Sequence, residues 1–218
     1  MAHNNVLRWL DGRGWLVLSG GGDAPSEIRA TALGRVSADG GVAYVSLGSQ
    51  AGLGEKALAD MEDLGAPPGY LVDVMTEDDQ TIQTRLAEAG MVVIEGDASV
   101  DDLRSSLIGA AVDGIQTAYQ NGAVVLAEGR AASVFGAWVL TEADELTSGF
   151  EWLENALVIP GITSVSESDV AKNVLARQSA AIAVGIGENS ALALGPDGEV
   201  ETWGERQVTI ALGKDYGA

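Results

Sequence analysis

The chain has no cysteine and a single histidine, His3, among 218 residues. Disulfide scaffolds, thiol nucleophiles and thiolate zinc sites are therefore excluded. An imidazole can serve an active site only if His3 reaches it. Cations are scarce as well: twelve Lys and Arg stand against 32 Asp and Glu, a formal charge of −20. Nucleic-acid binding rests on clustered cations that neutralise phosphates, and this surface repels them; an anionic membrane face is disfavoured for the same reason. No run approaches the roughly 20 apolar residues of a membrane span. The first fourteen residues carry Arg8, Asp11 and Arg13, which leaves no apolar core for a secretory signal. Cytoplasm is the expected compartment, with His3 in a short polar leader.

What is present is an ordinary globular composition, 46% apolar and 20% charged, in a length that suits one domain spanning 1–218. Short β-branched runs alternate with helical spacing. Strands are predicted at 15–18, 42–46, 70–74, 91–94 and 123–127, with helices at about 25–36, 55–64, 78–89 and 99–111 between them. Uninterrupted apolar runs such as Ala123-Val124-Val125-Leu126-Ala127 are expected where helices cover both faces of a parallel sheet. The predicted fold is α/β, a three-layer α/β/α sandwich with a mainly parallel sheet. After residue 179, four short strands (181–186, 191–194, 200–203 and 208–212) predict an antiparallel extension on one end of that sheet, with Pro196-Asp197-Gly198 as a turn.

Ligands of open α/β sheets bind beyond the carboxyl ends of the strands. The candidates there are Ser19-Gly20-Gly21-Gly22-Asp23, Ser46-Leu47-Gly48-Ser49, Glu95-Gly96-Asp97-Ala98 and Glu128-Gly129-Arg130-Ala131-Ala132-Ser133. The glycine triplet lacks the lysine of a phosphate loop and the spacing of a dinucleotide fingerprint, so a tight turn is its simpler explanation. The last segment has the strand, sharp turn and helix of a nucleophile elbow.

Leu18-Ser19-Gly20-Gly21-Gly22, Gly96-Asp97, Gly122-Ala123-Val124-Val125 and Gly185-Ile186-Gly187-Glu188-Asn189-Ser190-Ala191, in that order, span nearly the whole chain. In this pattern the sequence resembles the cyanophycinase and aspartyl dipeptidase family of serine peptidases, which implies a class I glutamine amidotransferase-like fold. The family's elbow, Gly-Thr-Ser-Ala-Gly-Ala-Ser, falls on Ala127-Glu128-Gly129-Arg130-Ala131-Ala132-Ser133. The resemblance thus puts Gly129 at the nucleophile position, or Arg130 after a one-residue slip. The family's Val-Ile-Asp-Gln-His falls on Val158-Ile159-Pro160-Gly161-Ile162, which puts Ile162 in place of the histidine. The family's Gly-Gly-Asp-Gln becomes Glu95-Gly96-Asp97-Ala98, keeping the aspartate and losing the glutamine.

A serine needs a neighbouring base to become nucleophilic, and loss of either partner lowers turnover by about 10⁶. Ser133 lies past the elbow, and Lys56, Lys172 and Lys214 fall at no predicted strand end. The reading is a non-catalytic relative of these peptidases, a binding or assembly protein expected to form a homodimer. The alternative is a hydrolase of peptides or acyl groups with a relocated catalytic apparatus. The ligand-site candidates are Ser19, Gly21, Glu95, Asp97, Glu128 and Arg130, suited to a small cationic ligand or a peptide. Neither a cofactor nor a bound metal is expected. A hard cation such as Ca²⁺ or Mg²⁺ on Glu95, Asp97 and Glu128 is a further, weaker idea. The opposing view is that Arg130 pairs with Glu128 or Glu95 and plugs a dead site.

Other residues read as structural. Trp9, Trp15, Trp138 and Trp152 suit core or interface. Trp203, read as exposed, suits a dimer contact. Glu142-Ala143-Asp144-Glu145 reads as a helix start and Ser166 as a helix N-cap.

Overall fold

A computed structural model describes residues 6–23, 25–47, 52–94, 96–143 and 145–216. The first half alternates strand and helix: β1 (Trp15–Ser19), α1 (Ser26–Leu33), β2 (Val42–Ser46), α2 (Leu53–Asp63), β3 (Tyr70–Asp73), α3 (Asp79–Ala87) and β4 (Met91–Ile94). It continues with α4 (Val100–Leu107), α5 (Ala110–Gln120) and β5 (Val124–Ala127). These five strands pair in parallel in the order β1-β5-β4-β2-β3. A mainly parallel α/β sheet is thus the fold's centre.

Alternation along each strand feeds two cores. Trp15, Val17, Val42, Tyr44, Val93 and Leu126 face α1 and α2. Leu16, Leu18, Val45, Ile94 and Val125 point the other way, onto α3, α4, α5 and a second sheet. That second sheet holds β6 (Gly136–Leu140), β7 (Leu146–Ser148), β8 (Leu153–Pro160), β9 (Ile182–Ile186) and β12 (Val208–Leu212), in the order β12-β9-β8-β6-β7. Its outer face carries α6 (Asp169–Arg177) over a small cluster of Val165, Ala171 and Ala183. The C-terminal strands form antiparallel pairs as the turn signals require, but they divide between the sheets. β10 (Ser190–Leu194) and β11 (Val200–Gly204) extend the first sheet beside β1, whereas β9 joins β8 in parallel and β12 closes onto β9.

Several local expectations are corrected. The helix predicted over 99–111 ends at Leu107, because Ile108 is extended and Gly109 has φ +94°, and a separate helix, α5, follows. Gly114 lets α5 approach α3: a Cβ there would lie 2.8 Å from the Gln83 carbonyl oxygen. Glu142 and Ala143 start no helix; they turn the chain between β6 and β7, where Thr141 N donates to the Glu145 carbonyl and Glu145 N to the Thr141 hydroxyl. Ser166 lies in a short 3₁₀ segment. The cap of α6 is Ser168, whose hydroxyl accepts from Ala171 N. Trp203 is buried, its ring 6.0 Å from Trp15 and its indole N–H on Glu201, so it is no exposed contact. Trp15 and Trp152 are core, the latter edge-on to Phe135 at 5.1 Å. Among the described residues no helix is long and apolar enough to cross a membrane.

Candidate functional site

Parallel strands leave their carboxyl ends on one side, and β1, β5 and β4 are direct neighbours there, with Leu18 beside Ala127 and Ala127 beside Ile94. Beyond these ends, roofed by α1 and α2, lies a cleft of about 540 Å³. Four of the sequence candidates line it: Ser19, Gly21, Asp97 and Glu128, together with Gly129. Glu95 and His3 lie outside the described residues.

At the end of β5 the chain does not enter an α-helix. It turns through Gly129, φ +54°, into a 3₁₀ helix, Gly129–Phe135, and passes straight into β6. A left-handed residue at a sharp strand end is the strained geometry of an elbow that displays a side chain. Here the displayed side chain is a hydrogen. The nearest atoms to a Cβ at Gly129 would be 3.8 Å away, an ordinary contact, so the position is roomy. Its surroundings are close-packed backbone: a Cβ at Gly96 would lie 1.9 Å from the Glu128 carbonyl oxygen, and one at Gly21 would lie 3.3 Å from Gly129 Cα. Glycine at 96 is what allows the ends of β4 and β5 to meet this closely.

The cation that engages Glu128 is Arg29, from α1, and not Arg130. Arg29 Nε and Nη2 donate to the two Glu128 carboxylate oxygens at 2.8 Å each, a forked, charge-assisted pair. Asp60 adds a longer contact at 3.9 Å. The Arg29 side chain is 8% exposed and that of Glu128 16%. Burial works against the Arg29 charge, but the hydrogen bonds and charge of Glu128 outweigh it and hold its pKa above the ordinary value. Arg130 leans away from the cleft and donates to the main-chain carbonyls of Asp97 and Ala98 at 3.4 and 3.2 Å.

The other hydroxyls have local work. Ser133 Oγ is buried and donates to the Arg130 carbonyl at 2.7 Å. Ser19 Oγ accepts from Gly21 N at 3.2 Å, which steadies the glycine turn. Ile162, where the family resemblance places a histidine, is partly buried against the small apolar cluster of Val165, Ala171 and Ala183. Among the described residues no set of three His, Cys, Asp or Glu side chains is arranged to hold a metal.

The strand-end reading missed what the helices contribute. Ser26 and Arg29 come from α1, Lys56 and Asp60 from α2, and all four line the cleft. Their three- and four-residue spacings place each pair on one helix face, the single signal that could have joined them. Four carboxylates (Asp23, Asp60, Asp97 and Glu128) then face two cations, Arg29 and Lys56. This arrangement suits a positively charged or zwitterionic guest better than an anion.

By sequence, no family model matches the chain and no curated protein does. By structure, the chain is similar to a peptidase from an acI-B1 Actinobacterium, with a TM-score of 0.74 and 20% identity over 93% of each chain. It is also similar to a putative peptidase E protein from Listeria monocytogenes EGD-e, with a TM-score of 0.64 and 13% identity over 88% of this chain and 98% of that one. This protein shares its α/β fold with peptidases.

Proposed function

We propose that the chain is a non-catalytic relative of these peptidases, a cytoplasmic binding or assembly protein that holds a small cationic ligand or a peptide in the elbow cleft. The observation that carries this reading is Gly129. The elbow keeps its left-handed bend and its room, while the position that would present a nucleophile has no side chain. The Arg29–Glu128 pair, bridging α1 to the elbow, is further support, since it commits the carboxylate nearest the bend to a structural partner. The excess of carboxylates in the lining supports a cationic guest.

A serine-reactive fluorophosphonate read by intact mass tests the absence of a nucleophile: no adduct is expected, and stoichiometric labelling overturns the proposal. Titration calorimetry with a polyamine series and with short peptides tests binding. Heat that is lost in Asp97→Asn is expected, and no heat with any of them removes the cleft as the binding site. A hydrolase with relocated apparatus is the second reading, favoured by Ser19, Ser26 and Lys56 lining one cleft. In that case the adduct maps to Ser19 or Ser26 and disappears in Lys56→Ala.

A further inference from the structure

We infer that the outer face of the second sheet carries a binding site for a medium-chain alkyl carboxylate, in the groove between α6 and the β6–β7 pair. α6 packs on Val165, Ala171 and Ala183, towards the β9 side of that sheet. Between the helix and the β6–β7 side remains a groove of about 260 Å³, separate from the elbow cleft in every residue that lines it.

The sequence writes both of its walls. Val139 enters the main core, so its neighbour in β6, Leu140, points outward, directly opposite Leu146 of β7. These two half-buried leucines give the groove an apolar floor. On α6, Val170, Asn173, Val174 and Arg177 recur at three- and four-residue spacings, which is one helix face, and all four line the groove. Val170 to Arg177 spans about 10 Å of helix, roughly the length of an extended eight-carbon chain. Sites for drug-sized ligands start at about 300 Å³, so this one suits a slimmer guest.

The polar groups sort to the two ends. Asp169 stands at the N-terminal end of α6 and is paired with Lys172 at 3.1 Å. Arg177 stands in the last turn, where the helix dipole favours a cation, and Asn173 adds an amide one turn before it. The ion pairs among the described residues engage Arg29, Arg35, Arg85 and Lys172, and none engages Arg177. A guanidinium without an acid partner, in a chain of net charge −20, is open to an anionic guest. Its fork of donors matches a carboxylate, and its aliphatic stem continues the apolar wall. An alkyl carboxylate satisfies both halves of the groove, with its tail over Leu140 and Leu146 and its head on Arg177. The elbow cleft, rich in carboxylates, prefers the opposite charge.

Methyl chemical-shift titration of the full chain with butanoate, hexanoate, octanoate and decanoate reads both affinity and place. It is run at physiological ionic strength, which screens the field of the acidic surface beyond about 8 Å. Shifts are expected at Leu140, Leu146, Val170 and Val174. Affinity should rise about fourfold per added methylene to roughly eight carbons and then level off as the groove fills. Octanol, with the same tail and no charge, should bind about tenfold more weakly. Arg177→Gln, at an exposed position, should bring octanoate down to the level of octanol, whereas Arg206→Gln, an exposed cation before β12, should leave it unchanged. Absence of binding across the series overturns the inference, as do shifts confined to other residues or affinity indifferent to Arg177→Gln. A concentration-dependent dimer that Leu146→Glu abolishes and octanoate leaves intact would place a second copy in the groove and overturn it as well.

Discussion

Arg29 on the first helix and Glu128 at the end of the fifth strand hold each other by two parallel hydrogen bonds of 2.8 Å, although 98 residues separate them in the chain. The pair ties the helical roof of the cleft to its floor. Removing one partner of such a pair strands a charge away from water, a larger loss than deleting both. Glu128→Ala is expected to lower stability by about 2–4 kcal/mol in urea denaturation, and Arg29→Met with Glu128→Leu by clearly less. If the double variant is as unstable as the single one, burial of the Arg29 charge is not the source of the loss.

Gly129→Ser places a hydroxyl at the left-handed bend that ends β5. There is space for it, and the left-handed backbone costs about 1–2 kcal/mol in a non-glycine residue. The variant is expected to fold with a slightly lower denaturation midpoint and to stay unlabelled by fluorophosphonate, because no imidazole is present among the described residues to take the proton. Labelling of this variant would reveal a base within the cleft.

Gly96→Ala should behave oppositely. Its Cβ meets the Glu128 carbonyl at 1.9 Å, backbone against side chain with no rotamer to relieve it. A loss of about 3 kcal/mol or more is expected, with the β4 and β5 ends forced apart. Amide exchange at Ala127–Gly129 is the direct readout. Protection equal to that of the parent chain would contradict the close approach.

Alkaline sensitivity should centre on Tyr119. Burial, reinforced by the charge of Asp11, pushes its phenol up to about 12, while its hydroxyl donates to the Leu10 carbonyl at 3.0 Å. The folded state therefore keeps a proton that the unfolded state releases near pH 10, so stability is full below that value and falls as pH rises towards 12. The fall is about 2 kcal/mol from this group. Tyr119→Phe should flatten the decline in denaturation midpoint between those limits. At the acid end, hydrogen bonds from Thr81 hold the Asp78 cap below the usual carboxylate range, so its support for α3 fades as pH drops through that lowered pKa.

The parallel sheet was legible because both of its faces are covered, which writes each strand as an unbroken apolar run. Of the second sheet only β9 and β12 were legible, as the strands read at 181–186 and 208–212; β6, β7 and β8 were not. In β8 the run is interrupted by exposed Glu154 and Asn155, the latter at φ +51°, and the register against β6 shifts beside it. A bulge of this kind erases the period-two pattern that announces a strand. At the site, glycines and carboxylates at strand ends were visible as punctuation after apolar runs. Arg29, Lys56 and Asp60 were not, since on α1 and α2 a cation or carboxylate facing a cleft looks like one facing solvent. The true partner of Glu128 was hidden for that reason, and Arg130, its near neighbour in sequence, was the wrong choice.

The seven-residue 3₁₀ segment Gly129–Phe135 also works as a mechanical joint. β5 belongs to one sheet and β6 to the other, and Glu128 with the 3₁₀ turn that starts at Gly129 joins these two strands. Losing a nucleophile leaves this joint untouched, whereas straightening the bend would pull two layers out of alignment. The bend at Gly129 therefore has an architectural reason to persist that does not depend on catalysis, and its presence is no measure of turnover.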